Sequence, residues 1–226
     1  TRPLASPASP RQPCPLYMSP ASAAPPDIKA LTAIVGRDVS RETFDRLERY
    51  AALVREEAGR QNLVSGATIE RLWERHILDS AQLGRFLPLE GKIADIGSGA
   101  GLPGIVLACL GHDMTLIEPR RLRADFLART ADSLGLQLRV VRSRANSAEG
   151  RFVAVTARAV ANISEIFAMS EHFSTANARF VLPKGKSAYS ELEAAKRAWH
   201  GVFHVEQSLT DPESGIVIGE GVRRRR

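Results

Sequence analysis

Hydrophobic and polar positions along the chain change their spacing near residue 90. Before that point, apolar residues recur at helical spacing, which predicts helices over 27–36, 40–59 and 69–87. Ser40 and Thr68 are the expected N-caps of the second and third helices. The expected apolar face of the second helix is Phe44, Leu47, Ala51 and Val54, and that of the third is Ile69, Leu72, Trp73, Ile77 and Leu83. These segments predict a small helical extension over residues 27–88.

After residue 90, short apolar runs alternate with helical stretches. The runs KIADIGS, DMTLIEP, LQLRVVR, RFVAVTAR and ARFVLPKG have strand length, and helices are expected to begin near Leu102, Arg120, Ser164 and Ser187. Alternation of this kind predicts a doubly wound, mostly parallel sheet. Towards the C-terminus, GVFHVEQSL and SGIVIGEGV flank the turn TDPE and predict an antiparallel hairpin that closes the sheet. We therefore predict a seven-stranded α/β domain over residues 89–222.

Composition limits the classes of protein that this chain can form. It has 226 residues, 44% of them hydrophobic and 25% charged, which is typical of a globular domain. No apolar stretch approaches the ~20 residues of a membrane-spanning helix. The two cysteines, Cys14 and Cys109, form neither a disulfide framework nor a metal-ligand spacing, so we expect no metal and a reducing, cytoplasmic location. The net charge of +6 favours an anionic partner.

Both ends of the chain differ in composition from the rest. Residues 1–26 contain eight of the thirteen prolines and no acidic residue, which predicts a disordered tail. The alternatives are an organellar transit peptide, or translated sequence upstream of a start at Met18. The last four residues, 223–226, are all arginine and are expected to form a basic tail.

A glycine-rich stretch follows the first predicted strand. IADIGSGAGLPG (93–104) contains four glycines between a strand and a helix, the usual position for binding a nucleotide-containing ligand. Gly99 to Gly104 satisfies the dinucleotide pattern G-x-G-x-x-G, which is weak alone. Asp95 to Gly101 satisfies D-x-G-x-G-x-G and resembles the first motif of S-adenosylmethionine-dependent methyltransferases, in which a carboxylate at the strand end supports the methionine ammonium. We therefore place Asp95, Gly97, Gly99 and Gly101 in a cofactor site.

Other features help to choose between these ligands. Glu118 ends the second strand, where a carboxylate accepts hydrogen bonds from ribose hydroxyls in either case. The C-terminal hairpin favours a methyltransferase, because a dehydrogenase would need a further substrate domain. A nucleotide-dependent oxidoreductase stays open as the alternative. LPKGKS is not a phosphate-binding loop, because the pattern requires glycine where Phe180 stands.

Five motifs occur in order along the chain: NLVSG, RHILDSAQL, DIGSGAGLPG, ARAVA and LPKG. Together they resemble the ribosomal RNA small-subunit methyltransferase G family, also called glucose-inhibited division protein B. The resemblance implies a class I methyltransferase fold, S-adenosylmethionine as cofactor, and methylation of a guanine N7 in 16S ribosomal RNA. It also implies cofactor contacts at Gly97, Leu102, Ala145, Asn146 and Arg158.

The resemblance suits a site without an obvious general base. Guanine N7 carries an exposed lone pair, so it can attack a methyl group without first losing a proton, and catalysis is then mostly positioning. Arg158 and His76 are the candidate catalytic residues. Arg158 would bind either the cofactor carboxylate or guanine O6. His76 is a candidate only because of the resemblance to the family.

Basic residues suggest how RNA would be held. Arg123, Lys184 and Lys186 are the candidate RNA contacts, since basic side chains bind phosphates without reading sequence. Further basic residues are Arg120, Arg121, Arg139, Arg142 and Arg144. The expected partner is 16S ribosomal RNA in the small subunit, and the expected state is a monomer. A ribosome-binding protein with weak catalysis is a second alternative.

The chain departs from its apparent relatives at several places. Asn146 stands where they usually carry an acidic residue, and Val153 stands where they carry aspartate. The tryptophan that commonly precedes NL is absent, and ESG (213–215) replaces a pattern that often contains Arg-His.

Overall fold

The computed structural model describes residues 27–63 and 69–225. The predictions for residues 1–26, for Thr68 and for most of the NLVSG motif lie outside the described residues. The described chain contains seven strands in one sheet, with helices along its sequence between them.

The first two helices form as their sequence predicts. Helix α1 is Ile28–Val35, and the Asp27 side chain accepts a hydrogen bond from the Lys29 amide. Helix α2 is Arg41–Ala58, and Ser40 caps it by accepting from the Thr43 amide at 3.1 Å. The predicted apolar face of α2 is buried, together with Tyr50, whose hydroxyl donates to the Ala100 carbonyl oxygen at 2.9 Å. That bond ties α2 directly to the glycine-rich stretch.

The third helix is not the regular α-helix that its periodicity predicts. The segment that we call α3 (73–85) begins with a π-helical turn, Trp73–Leu78, continues as a short α-helix, Asp79–Ala81, and ends as a 3₁₀ turn, Gln82–Arg85. The expected apolar residues from Leu72 onward are nevertheless buried. The predicted apolar face is thus buried although the helical pitch changes along the segment.

The sheet confirms the predicted doubly wound α/β class. Its strands are β1 Ile93–Ile96, β2 Met114–Ile117, β3 Arg139–Val141, β4 Phe152–Ala157, β5 Ser174–Lys184, β6 Trp199–Gln207 and β7 Gly215–Arg224. Their order is β3-β2-β1-β4-β5-β7-β6, parallel as far as β5. The last strand, β7, is antiparallel to both β5 and β6. The predicted hairpin is therefore present, with β7 inside the sheet and β6 as its edge strand.

Helices cover both faces of this sheet. They are α4 Gly104–Cys109, α5 Arg121–Ser133, α6 Ile163–Ser170 and α7 Ala188–Ala195. One core joins α1 to α5 with one sheet face, and a second core joins α6 and α7 with the other. The N-terminal helices thus share a continuous core with the sheet, and the division at residue 88 stays a prediction.

Two boundaries differ from the predicted ones. Helix α4 begins at Gly104 instead of near Leu102, because Gly101 to Pro103 form a turn that precedes it. The predicted basic tail does not begin at residue 223, because β7 pairs with β6 as far as Arg224. The Arg224 guanidinium lies 4.7 Å from the centre of the Trp199 ring, and Arg225 Nε donates to the Lys196 carbonyl oxygen at 2.8 Å.

Candidate functional site

The predicted site residues gather at one edge of the sheet. Strands β1, β2, β3, β4 and β5 are parallel, so their carboxyl ends meet at this edge. The direction in which the chain adds strands reverses between β1 and β4, and ligands of open α/β sheets bind in the crevice at such a switch point. The glycine-rich loop leaves β1 on one side of this point, and Arg158 follows β4 on the other.

The glycines of the loop serve different purposes. Gly97, Gly99 and Gly101 have φ values of 64°, 57° and 98°, which favour glycine. A Cβ on Gly97 would lie 2.7 Å from Val160, and a Cβ on Gly101 would lie 2.5 Å from Ile105. Gly99 has no neighbour closer than 3.7 Å at that position. The sequence predicts that the glycines make room for a ligand, but Gly97 and Gly101 make room for neighbouring side chains, and Gly99 alone among these three could hold a Cβ without a clash.

Asp95 lies beneath the loop. Its side chain is fully buried, and Oδ2 accepts a hydrogen bond from the Gly104 amide at 3.1 Å, at the start of α4. Oδ1 has no hydrogen-bond partner among the described residues. Burial raises the pKa of this carboxyl to about 7. The hydrogen bond from Gly104 and the nearby Ser98 hydroxyl, which donates to the Asp95 main-chain oxygen at 2.9 Å, oppose this rise. Asp95 thus anchors the loop to α4. Its contact with a cofactor ammonium stays a prediction, for which Oδ1 is the oxygen without a partner among the described residues.

Glu118 connects the loop to the end of β2. It is 3% exposed, and its two oxygens accept hydrogen bonds from the amides of Gly99 at 2.9 Å and Arg120 at 2.8 Å. A carboxylate can accept about four hydrogen bonds, so these contacts leave capacity for hydroxyl groups. The predicted ribose contact stays a prediction.

The other predicted cofactor residues differ in exposure. Leu102 is buried in the core at the end of the glycine loop, and Ala145 is buried in a 3₁₀ turn, Ala145–Ser147, after β3. Asn146, in the same turn, is exposed. The turn therefore presents the Asn146 side chain to solvent on the same side of the switch point as the glycine loop.

The structure brings the two predicted catalytic residues together. Arg158 Nη2 lies 2.9 Å from His76 Nδ1, and Arg158 Nη1 lies 3.3 Å from Asp79 Oδ2. Burial, with the positive charges of Arg158 and Arg75, lowers the pKa of His76 to about 4. At neutral pH His76 is therefore neutral, and Nδ1 accepts a hydrogen bond from the guanidinium. These contacts engage two of the five N–H donors of a guanidinium.

A cleft of ≈ 460 Å³ opens beside Arg158. Its walls come from the segment after β4, from the end of β5, from α7 and from the loop between β6 and β7, including Val160, Lys184, Glu191, Ser208 and Ser214. Positive and negative side chains thus line one polar cleft, which lies across the switch point from the glycine loop.

The three predicted RNA contacts have different surroundings. Arg123 donates to the Asn62 carbonyl oxygen at 2.9 Å and approaches the glycine loop, with Nη1 3.8 Å from the Cβ position of Gly99. Lys184 is 11% exposed and forms an ion pair with Glu191 at 2.9 Å, so it belongs to the cleft wall instead of an open surface. Lys186 is exposed and pairs with Glu213 at 2.7 Å. The further arginines are exposed, namely Arg120, Arg121, Arg139, Arg142 and Arg144.

Sequence reasoning missed several residues of this region. Asp79 has a signal in the sequence, because it follows His76 by three positions in a helical segment and so shares its face. Gln82 follows Asp79 by the same spacing and has the same signal, whereas Thr210, which also contacts Asp79, has none. In residues 27–63 and 69–225, no helix is long and apolar enough to cross a membrane.

Comparisons with known proteins agree with this geometry. The family model described as rRNA small subunit methyltransferase G matches residues 43–213. A protein of that name from Novosphingobium aromaticivorans is 44% identical over 188 residues, covering 80% of this chain and 82% of the relative. Another, from Rhizorhabdus wittichii, is 42% identical over 202 residues, covering 85% and 91%.

Solved structures show the same fold at low sequence identity. A TehB-like SAM-dependent methyltransferase from Corynebacterium glutamicum superposes with a TM-score of 0.50 at 18% identity, covering 76% of this chain and 96% of its own. A ribosomal protein L11 methylase from Lactobacillus delbrueckii gives a TM-score of 0.50 at 11% identity, covering 67% and 79%. The fold is therefore that of the class I methyltransferases, and the oxidoreductase alternative is not favoured. From the family match and these relatives, the chain belongs to the rRNA small subunit methyltransferase G family.

Proposed function

We propose that this protein is an S-adenosylmethionine-dependent methyltransferase that forms 7-methylguanosine in 16S ribosomal RNA of the small subunit. One observation carries the proposal: the glycine loop and the Arg158 cleft lie on opposite sides of one switch point, at the same edge of the sheet. Two adjacent sites are what a transfer between two bound molecules requires, because reacting groups must be held in contact and aligned.

The residues on the glycine-loop side suit the cofactor. A Cβ on Gly99 would meet no atom closer than 3.7 Å, Asp95 Oδ1 is a buried oxygen without a partner among the described residues, and Glu118 has unused acceptor capacity. Glu118 would bind ribose hydroxyls, and Asn146 would meet the adenine. When bound, the cofactor supplies an electrophilic methyl group.

The residues on the cleft side suit a neutral base that needs no deprotonation. Guanine N7 and O6 are both acceptors on one edge of the base. The N–H groups of Arg158 that are not turned to His76 or Asp79 can donate to O6, which would aim the neighbouring N7 at the glycine loop. His76 is neutral and accepts from Arg158, so its role here is to orient the guanidinium and not to remove a proton.

Five of the exposed arginines would bind the RNA backbone, namely Arg120, Arg121, Arg139, Arg142 and Arg144. Contacts of this kind supply affinity that falls with salt and carry no sequence information. We also propose that the protein acts as a monomer in the cytoplasm, which sedimentation of the purified chain and fractionation of cells would test.

Methyl transfer to purified small subunits tests the proposal. Subunits from a strain that lacks the modification are incubated with labelled cofactor, and the digested RNA is analysed by mass spectrometry. We expect 7-methylguanosine from the wild-type protein and from Arg41→Ala, a matched loss of an exposed arginine that pairs with Asp45 far from the cleft. Arg158→Ala should lose most of the product.

Three outcomes would contradict parts of the proposal. Binding of subunits without product would favour the ribosome-binding alternative. Methylation at another guanine atom would reject the N7 assignment. Stabilisation of the protein by NADH but not by S-adenosylmethionine, in a thermal-shift assay, would reject the cofactor.

A further inference from the structure

A single carboxylate joins Arg158 to the loop between β6 and β7. Asp79 Oδ2 pairs with Arg158 at 3.3 Å, whereas Oδ1 accepts a hydrogen bond from the Thr210 hydroxyl at 2.8 Å and one from Gln82 Nε2 at 2.8 Å. Both oxygens are therefore engaged, and each faces a different part of the chain. Two of the three partners of this carboxylate, Arg158 and Thr210, are 79 and 131 positions away in sequence.

The loop that carries Thr210 is held firmly by the same helical segment. Gln82 is 1% exposed, and its Oε1 accepts from the Leu209 amide at 2.8 Å while its Nε2 donates to Ser208 Oγ at 3.1 Å. Arg75 approaches Asp211 at 3.6 Å. These contacts hold the loop without help from Asp79, so the hydrogen bond from Thr210 is available to orient Asp79.

The same loop borders the cleft. Ser208 and Ser214 lie in the cleft wall together with Asp79 and Arg158. In the part of the chain that the structure describes, Asp79 is the carboxylate that forms an ion pair with Arg158, and the other contact of the guanidinium is the neutral His76. An ion pair that is 18% and 22% exposed on its two sides is largely shielded from water, so it fixes the guanidinium more strongly than a surface pair would.

We propose that Asp79, held in place by Thr210, is the positioning residue that fixes the Arg158 guanidinium at the cleft for methyl transfer. The inference rests on the proposed function. It assigns Asp79 no contact with the substrate or cofactor. It predicts that loss of Asp79 or of the Thr210 hydroxyl lowers the rate of transfer while leaving cofactor binding intact, because in the proposed function Arg158 donates to guanine O6 and the residues beside the glycine loop bind the cofactor.

The substitution Asp79→Asn tests the ion pair without changing the size of the side chain. An asparagine amide must turn its donor towards either Arg158 or Gln82, where it meets another donor, so one contact is lost in either orientation. We expect kcat on small subunits to fall about tenfold or more, since small misplacements of catalytic groups are costly. Affinity for S-adenosylmethionine by calorimetry should stay within about twofold of wild type, as a change confined to the far side of the switch point implies. Asp45→Asn, which breaks the exposed pair with Arg41, is the matched control and should leave both quantities unchanged.

Substitutions of Thr210 provide a second test, which changes one hydrogen bond and leaves the Asp79–Arg158 ion pair in place. Thr210→Val removes the hydroxyl but keeps the shape, whereas Thr210→Ser keeps the hydroxyl. We expect kcat to fall about three- to tenfold in the valine variant, the equivalent of one lost hydrogen bond of average strength, and to be largely restored in the serine variant.

A double-mutant cycle separates positioning from general support of the fold. If Asp79 acts only through Arg158, Asp79→Asn should change kcat less than about twofold in an Arg158→Ala background, because interacting residues are not additive. Equal effects in both backgrounds, or a parallel loss of cofactor affinity, would overturn the inference, as would wild-type kcat in Asp79→Asn and Thr210→Val. Wild-type protein that transfers no methyl group would instead reject the proposed function, and the inference with it.

Discussion

Replacement of Gly104 by alanine should destabilise the fold, although helices generally favour alanine over glycine. A Cβ at this position would lie 2.2 Å from Leu116 Cδ2 and 2.6 Å from Asp95 Oδ2. Both neighbours are completely buried and belong to β1 and β2, so neither can move into solvent. The added methyl group must push the start of α4 away from the sheet, and this lengthens the hydrogen bond from the Gly104 amide to Asp95.

The size of this effect follows from its two parts. Overpacking of a core costs about 1–3 kcal/mol, and weakening a hydrogen bond to a buried acceptor adds roughly 1–3 kcal/mol. We expect a total near 3 kcal/mol, which for a chain of this size lowers the melting temperature by about 6–12 °C. The measurement is urea and thermal unfolding of the purified protein without cofactor.

Two other glycines make the experiment specific. Gly185 has no atom within 4 Å of its Cβ position, so Gly185→Ala should unfold within about 1 °C of wild type, as unstrained surface substitutions do. Gly99 has room for a Cβ but a φ of 57°, so Gly99→Ala should cost about 1–2 kcal/mol through backbone strain. The reasoning is refuted if Gly104→Ala is as stable as wild type, or if Gly99→Ala is the less stable of the two.

Three further predictions concern charge. Because the pKa of Asp95 is raised in the folded state, its contribution to stability is present at low pH and is lost as pH rises through about 7. The free energy of unfolding of Asp95→Asn, measured in urea, should therefore rise by about 3 kcal/mol relative to that of wild type between pH 5 and pH 8.5. A difference between the two proteins that does not change with pH would contradict this. Asn146→Asp should tighten S-adenosylmethionine binding about fivefold by calorimetry, since a charged acceptor binds a donor more strongly; equal or weaker binding would remove Asn146 from the adenine site. Lys186→Ala should reduce the salt slope of RNA binding by about 0.7–0.9, whereas Lys196→Ala, another exposed lysine paired with a glutamate, should not; identical slopes for Lys186→Ala and wild type would place Lys186 outside the interface.

The sequence by itself determined the local elements and the edge of the sheet at which the site forms. Ser40 caps α2 because the capping contact spans only three residues, and the strands after residue 90 are recognised by short apolar runs. The glycine loop and Glu118 meet because parallel strands end at the same edge, which is a rule of topology and needs no detailed packing.

Only the tertiary structure decided which glycines have room for a Cβ and which pack too closely against the core. Gly99 and Gly104 occur in one motif and look equivalent in sequence, yet a Cβ on the first would meet no atom closer than 3.7 Å and a Cβ on the second would collide with β1 and β2. The pitch of α3 likewise departs from its periodicity, because a local pattern records which residues are apolar and not the packing that imposes a π-helical turn.

Strand pairing and side-chain contacts between distant residues could not be predicted from the sequence either. The hairpin predicts that β6 and β7 pair with each other, but either strand could have joined β5, and the structure places β7 there. The contact of Asp79 with Thr210 depends on that choice, since the loop between β6 and β7 reaches α3 from this position. Spacing rules extend over a few residues, whereas these contacts are set by the packing of whole elements.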